Sequence, residues 1–111
     1  MSRKKITALI FALFLGLSTS YAEEKTRFVG TIAVSKKDKK KYPDLAKVSF
    51  QQVLDIVSKK SPGKIIEVAL EEEDGYLVYE VELITPEHTK KEIYLDAGDG
   101  TVLHVKEKKG K

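Results

Sequence analysis

Apolar residues recur at every second position from Lys64 to Val105, which is the period of β-strands with one buried face. Turn sequences interrupt this pattern at Asp74-Gly75, at residues 85–89 and at residues 98–100. The pattern predicts three to four antiparallel strands in a sheet that has one buried and one open face. The predicted buried face carries Ile66, Val68, Leu70, Leu77, Tyr79, Val81, Leu83, Ile93 and Leu95.

A helix is predicted immediately before these strands. Ser49 and Gln52 have the spacing of a capping box, in which each side chain accepts a hydrogen bond from the other residue's backbone N–H. Ser61-Pro62-Gly63 ends the helix, because proline cannot continue it. One helix packed on one face of an antiparallel sheet makes an α+β fold. The predicted apolar face of the helix consists of Phe50, Val53, Leu54 and Val57.

The segment before the helix predicts one further strand and a charged loop. Arg27 to Val34 alternates loosely and is rich in β-branched and aromatic residues, which favours an extra N-terminal strand. Residues 35–41 contain five lysines in seven positions. This lysine run is interpreted either as a solvated loop or as a docking patch for an acidic partner or a membrane surface. Residues 106–111 are expected to form a polar tail.

Residues 1–22 have the three regions of a secretory signal peptide. Arg3, Lys4 and Lys5 precede an apolar run of about a dozen residues, and small residues stand just before the expected cleavage point after Ala22. The sequence therefore predicts export to the periplasm or the extracellular space. The alternative is that residues 1–22 are not cleaved and anchor the chain, which would then contact a membrane only through this segment. The apolar run is, however, shorter than the ~20 residues that a membrane span needs.

Net charge argues against nucleic-acid binding. The chain has 20 basic and 17 acidic residues, and the three cations at positions 3–5 account for the whole excess. The domain that follows the predicted signal peptide is formally neutral and lacks the basic footprint of nucleic-acid binders. The chain has no cysteine, which excludes disulfides, thiolate metal sites, cysteine nucleophiles and a bacterial lipoprotein anchor.

The sequence predicts no enzyme and no cofactor. His88 and His104 are sixteen positions apart and do not have the spacing of a metal site. No nucleophile motif or phosphate-binding glycine loop is present. The acidic run from Glu71 to Asp74 falls on a predicted hairpin and is interpreted as a solvated turn, with cation binding as the alternative.

The open face of the predicted sheet is the candidate binding surface, because it mixes apolar and acidic side chains. Instead of binding a partner, part of this face is covered by the N-terminal strand or by a second copy of the chain in two alternative interpretations. An exposed edge strand would also accept an extended peptide by strand addition. The candidate partner-binding residues are Ile65, Glu67, Ala69, Tyr76, Val78, Glu80, Glu82 and Tyr94.

A series of short motifs in this order and spacing resembles the PepSY domain family. The resemblance runs from Val48 to Val105. Two departures are the valines of the helix, where the family commonly has alanine, and Pro86 to Thr89, where the second hairpin of the family usually has glycine. The motifs are Val48-Ser49, Pro62-Gly63-Lys64, Val68 through Asp74-Gly75, Tyr79-Glu80-Val81, Asp96-Ala97 and Gly100-Thr101-Val102-Leu103.

This resemblance implies one helix on an antiparallel sheet and a regulatory role. PepSY domains occur in propeptides of secreted metallopeptidases and in cell-envelope regulators, and the family has no catalytic residues to assign here. The leading hypothesis is an exported, non-catalytic module that binds a protein partner, an envelope or secreted peptidase, and inhibits it. The alternative is an envelope protein that binds a small ligand or a cation through its glutamates and histidines. The oligomeric state stays open.

Overall fold

The computed structural model describes residues 27–108 and has four antiparallel strands with one main helix. The strands pair in the order β1-β2-β3-β4, which confirms the predicted α+β class. The predicted signal peptide and its cleavage after Ala22 lie outside the described residues. The elements are a 3-10 helix Lys36–Lys41, α1 Tyr42–Leu45, α2 Phe50–Lys60, β1 Lys64–Glu73, β2 Tyr76–Ile84, β3 Lys90–Asp96 and β4 Val102–Lys108.

Helix α2 begins with the predicted capping box. The Gln52 backbone N–H donates to Ser49 Oγ at 3.1 Å, and the Ser49 N–H donates to Gln52 Oε1 at 2.8 Å. These bonds satisfy two backbone donors that the first turn would otherwise leave unpaired. The helix ends at Lys60, just before Ser61-Pro62.

Replacing the capping serine is expected to weaken the domain measurably. Ser49→Ala removes the acceptor for the Gln52 N–H and should lower the free energy of unfolding by about 1 kcal/mol. Urea denaturation followed by circular dichroism measures this loss. Ser58→Ala is the control, because Ser58 is exposed in the last turn of the same helix. Equal stability of the two variants would contradict a role for the cap.

The buried stripe of α2 differs in part from the predicted one. Val53 and Val57 are buried against the sheet, as predicted, and Ile56 also packs on the core. Phe50 is 50% exposed, so its assignment to the interior is wrong. Its ring lies edge-on to Tyr79, 5.3 Å between centroids, at the rim of the core.

A β-bulge in β1 reverses the side-chain alternation at its start. Ile65 pairs with Leu83 and Glu67 with Glu82, which leaves Ile66 as the extra residue. Ile66 is therefore 58% exposed, whereas Ile65 packs against the core. The predictions for both isoleucines are wrong for the same reason. From Glu67 onward the predicted alternation is correct.

The N-terminal segment is extended but is not a full strand. Only Ala33 forms a bridge, to Tyr76, although the Leu77 N–H donates to the Ile32 carbonyl at 2.9 Å. The reason is that β3 occupies this side of β2 from Val78 onward and leaves only the first residues of β2 to pair. We call residues 27–34 the strap.

Two charged segments are more regular than the sequence suggests. The lysine run forms an exposed 3-10 helix, and β4 continues through Lys108, so the polar tail predicted from Lys106 starts too early.

Among residues 27–108, no helix is long and apolar enough to cross a membrane.

The turn between β2 and β3 holds a residue in left-handed geometry. His88 has φ 68°, in the region that favours glycine, and lies where the PepSY resemblance leads one to expect glycine. His88→Gly removes this strain and should raise the free energy of unfolding by about 1 kcal/mol. Differential scanning calorimetry would detect the higher melting temperature. A melting temperature no higher than that of Glu87→Gly, a substitution at the preceding exposed position, would contradict this prediction.

Candidate binding surface on the open face of the sheet

The open face is the side of the sheet opposite α2, and the strand register places most of the predicted site on it. Side chains of paired residues lie on the same side of a sheet, so cross-strand rows can be followed directly. Ile65 does not belong to this face, because the bulge turns it toward the core. The other seven candidates all lie on it, namely Glu67, Ala69, Tyr76, Val78, Glu80, Glu82 and Tyr94.

The strap covers one end of the open face. The Phe28 ring packs edge-on to Tyr94 with 4.9 Å between ring centroids, and Thr31 Oγ1 donates to Asp96 Oδ1 at 3.1 Å. Val78, which the sequence places among the available contact residues, is 0% exposed. The N-terminal segment therefore covers part of the face, as one of the alternatives predicts. Val78 is not available to a partner while the strap is in place.

Close packing fixes the strap to the end of β3. The Gly98 N–H donates to Asp96 Oδ1 at 2.9 Å, the same carboxylate oxygen that accepts from Thr31. A Cβ atom added at Gly98 would collide with Thr31 Oγ1, so this approach requires glycine. The Phe28 N–H also donates to Asp74 Oδ2 at 2.8 Å, which ties the strap to the β1–β2 turn.

The uncovered part of the face is acidic. Glu67, Glu82 and Glu92 are direct cross-strand neighbours on β1, β2 and β3, and Glu80 lies one row away. Like charges placed directly opposite one another destabilise a sheet, so this row is not explained by folding alone. We call these residues, with Glu71, the acidic strip: Glu67, Glu71, Glu80, Glu82 and Glu92.

Lysines of β3 and β4 balance part of this charge: Lys106 continues the row of Glu92, and Lys90 and Lys108 lie in the next row. Lys90 Nζ lies 3.2 Å from a Glu82 oxygen. Lys106 and Lys108 approach the two oxygens of Glu92 at 4.0 and 3.7 Å. Glu92 is only 6% exposed, whereas the lysines are on the edge strand β4 or close to the surface. The glutamates therefore extend from the edge strand β1 to β3, and the lysines lie toward the opposite edge, β4.

Glu80 holds its proton unusually tightly. Partial burial, then a hydrogen bond and the charge of Glu71, and further the charge of Glu92, raise the pKa of Glu80 to about 7, although the Tyr94 hydroxyl opposes this shift. That hydroxyl donates to Glu80 Oε2 at 3.3 Å. Burial also raises the pKa of Glu73, with Glu72 and Glu80 as further causes. The acidic strip can thus exchange a proton near neutral pH.

The chemistry that these groups offer is proton and cation binding. Oxygens of Glu80, Glu82 and Glu92 all lie within 4.8 Å of one another, the grouping expected of ligands to a hard cation. Neither histidine joins this grouping: His104 lies under Phe28 at 5.8 Å between ring centroids, and His88 lies in the β2–β3 turn. The alternative cation site that the sequence suggests at Glu71 to Asp74 is not formed. Among residues 27–108, only the carboxylates of Glu80, Glu82 and Glu92 lie close enough together to share a cation.

Sequence reasoning missed three residues of this surface. Glu92 shares the alternation of Tyr94, but its position directly beside Glu82 is set by the β2–β3 register. Phe28 covers Tyr94 from a segment that is distant in sequence. Ile66 is exposed only because of the bulge, beside a shallow cavity of about 580 Å³ that Ile84 and Pro86 also line.

The fold defines the class of small α+β modules in which a single helix covers one face of an antiparallel meander. A family model described as "Peptidase propeptide and YPEB domain" matches residues 47–106. The chain belongs to the PepSY family, as the motifs indicate. Such domains are generally non-catalytic propeptide or regulatory modules. No curated protein and no solved structure gives a significant match to the chain.

Proposed function

We propose that this protein is an exported, non-catalytic module that binds a peptidase of the cell envelope or the surrounding medium and restrains its activity. Membership of a family named for peptidase propeptides supports this proposal most directly. Localisation rests on the signal-peptide pattern of residues 1–22. The contact surface is the exposed part of the acidic strip, Glu67, Glu71, Glu80 and Glu82, since Glu92 is buried and the strap closes the apolar end of the same face.

The arrangement of the acidic strip favours a protein partner. Glu67 and Glu71 lie on the edge strand β1, where a second molecule can reach them, and Glu80 and Glu82 are partly exposed on β2. Rows of like charge become favourable when an oppositely charged surface covers them. A peptidase surface with lysines and arginines would relieve the repulsion among the glutamates.

Peptidase assays with the purified protein test the proposal. The protein is incubated with metallopeptidases secreted by its own organism, and casein hydrolysis and complex formation on a sizing column are followed. We expect slower hydrolysis and a complex, and we expect both effects to weaken at high salt because the contact is electrostatic. Unchanged hydrolysis together with no complex would overturn the proposal.

Edman sequencing or intact mass tests the export part separately. Protein recovered from the culture medium or the periplasm should begin at Glu23. Protein that retains residues 1–22 in a membrane fraction would instead support an anchor.

Cation binding is the second candidate function, and the grouping of Glu80, Glu82 and Glu92 favours it. Against it, Lys90, Lys106 and Lys108 already approach two of the three carboxylates. Calorimetric titration with calcium, magnesium and zinc ions decides between the two functions. Silence at millimolar metal would eliminate cation binding. Saturable heat that Glu82→Gln abolishes would establish it.

A further inference from the structure

We propose that the outer edge of β1 is a docking site for an extended peptide that alternates basic and apolar residues. This inference does not require that the partner be a peptidase. It rests on the free backbone groups of β1, on the groove beside them and on the charges that flank the edge.

Strand β1 is the first strand in the sheet order, and its outer side has no strand partner among residues 27–108. The residues on either side of the two-residue turn Asp74-Gly75, Glu73 and Tyr76, form a hydrogen-bonded pair. Along an antiparallel ladder, pairs that exchange backbone hydrogen bonds alternate with pairs that do not. The backbone groups of Val68, Leu70 and Glu72 therefore point away from β2.

Bonds on the far side of β2 agree with this assignment. The backbone of Leu77 bonds to Ile32 and Ala97, which lie on the side of β2 away from β1, so Leu77 cannot be in a hydrogen-bonded pair with β1. Its partner Glu72 must then point outward, as the turn geometry requires. No other backbone group in the described chain bonds to this edge.

The edge is accessible along a groove. A cavity of about 660 Å³ runs beside residues 69–73, and Lys36, Lys39 and Tyr42 form its other wall. Five strand residues span about 14 Å, enough for four or five residues of an extended peptide. Lysine stems can lie along apolar side chains of that peptide while their charged ends stay in water.

Charge selects the peptide. Glu67, Glu71 and Glu73 lie on the open face along this edge, and residues opposite them in an added strand would be their direct neighbours. Basic residues are favoured opposite Glu67 and Glu71, whereas Lys36 already supplies a positive charge near Glu73. Apolar residues are favoured beside Leu70 on the other face. A second β1 is disfavoured, because antiparallel pairing would bring glutamates against glutamates.

The usual protection of an edge strand is incomplete here. Edges are commonly blocked by proline, lysine, a bulge or a covering helix or loop. Here the 3-10 helix and α1 stand beside the edge but leave a cavity next to residues 69–73. The bulge of β1 is confined to residues 65–67, and residues 67–73 contain neither proline nor lysine. The opposite edge, β4, carries Lys106 and Lys108. The glutamates of β1 repel copies of themselves but leave the edge open to a basic strand.

Fluorescence anisotropy with two labelled peptides tests the docking site. The probes are a seven-residue peptide of alternating lysine and valine and its glutamate-valine counterpart, each added to the purified protein. We expect saturable binding of the basic probe only. Glu67→Lys/Glu71→Lys should weaken it about tenfold, whereas Asp55→Lys/Glu87→Lys, an equal change of charge at exposed positions away from this edge, should not.

A backbone variant separates strand addition from simple charge attraction. Leu70→Pro removes an outward N–H, which the β1–β2 ladder does not use, and proline is tolerated at such edge positions. With the fold verified by circular dichroism, this variant should bind the basic probe at least tenfold more weakly than Leu70→Ala, which removes the same side chain but keeps the N–H. Undiminished binding by Leu70→Pro, equal binding of both probes, or no binding by the unaltered protein would each overturn the proposal.

Discussion

Leu77→Ala is expected to remove about 3 to 5 kcal/mol from the free energy of unfolding, the largest effect of any substitution considered. Leu77 is 0% exposed and lies on the face of β2 that packs against the core. Truncation removes three buried carbon atoms and leaves a cavity that the surrounding strands cannot fill. The melting temperature should fall by roughly 15 to 25 °C in a domain of this size.

Thermal and urea denaturation measure this loss, with Leu45→Ala as the matched control. Leu45 is 38% exposed in α1, so the same chemical change should cost less than about 1 kcal/mol there. A Leu77 variant as stable as the Leu45 variant would mean that the core does not lie between α2 and the inner face of β2.

Glu80→Gln is expected to flatten the pH dependence of stability. The pKa of Glu80 is raised from 4.5 to about 7 in the folded protein. Folding therefore favours its protonated form, and the stabilising contribution is full below pH 4.5 and is lost as the pH rises through 7. Glutamine keeps the shape and an N–H donor for Glu71 but cannot ionise. The variant should match the unaltered protein near pH 4.5 and exceed it at pH 8.

The expected gain at pH 8 is about 1.5 kcal/mol, after a discount of about half for the solvent contact of this partly exposed group. A residual slope should remain, because the pKa of Glu73 is also raised. Urea midpoints at pH 4.5, 6 and 8 provide the measurement, and Glu87→Gln in the exposed β2–β3 turn is the control. Parallel profiles for Glu80→Gln and the unaltered protein would contradict the assignment of this proton.

Local signals predict most of this fold. The spacing of Ser49 and Gln52 sets the start of α2, and the two-residue alternation from Glu67 onward sets both faces of β1 to β3. These features depend on neighbours within a few positions. The bulge does not, because Ile65 and Ile66 are equally apolar and only the register with β2 decides which one is buried.

The candidate site is predictable only in part, for the same reason. Alternation places Glu80, Glu82, Glu92 and Tyr94 on the open face, but the position of Glu92 directly beside Glu82 depends on strand register. Val78 fits an open-face position by its period and yet is buried, because the strap packs over it from about fifty residues earlier in the chain. The pKa of Glu80 likewise depends on Glu71 and Glu92, which are brought near it by two different strands.

The central claim is that the acidic strip is a protein-binding surface. The most direct test is an inhibition titration of the peptidase that forms a complex, with the unaltered protein, Glu67→Lys/Glu82→Lys and Glu87→Lys compared at equal concentration. We expect the unaltered protein and Glu87→Lys to inhibit alike, whereas the double variant, once circular dichroism shows that it is folded, should inhibit at least tenfold more weakly. Equal inhibition by all three proteins would contradict it.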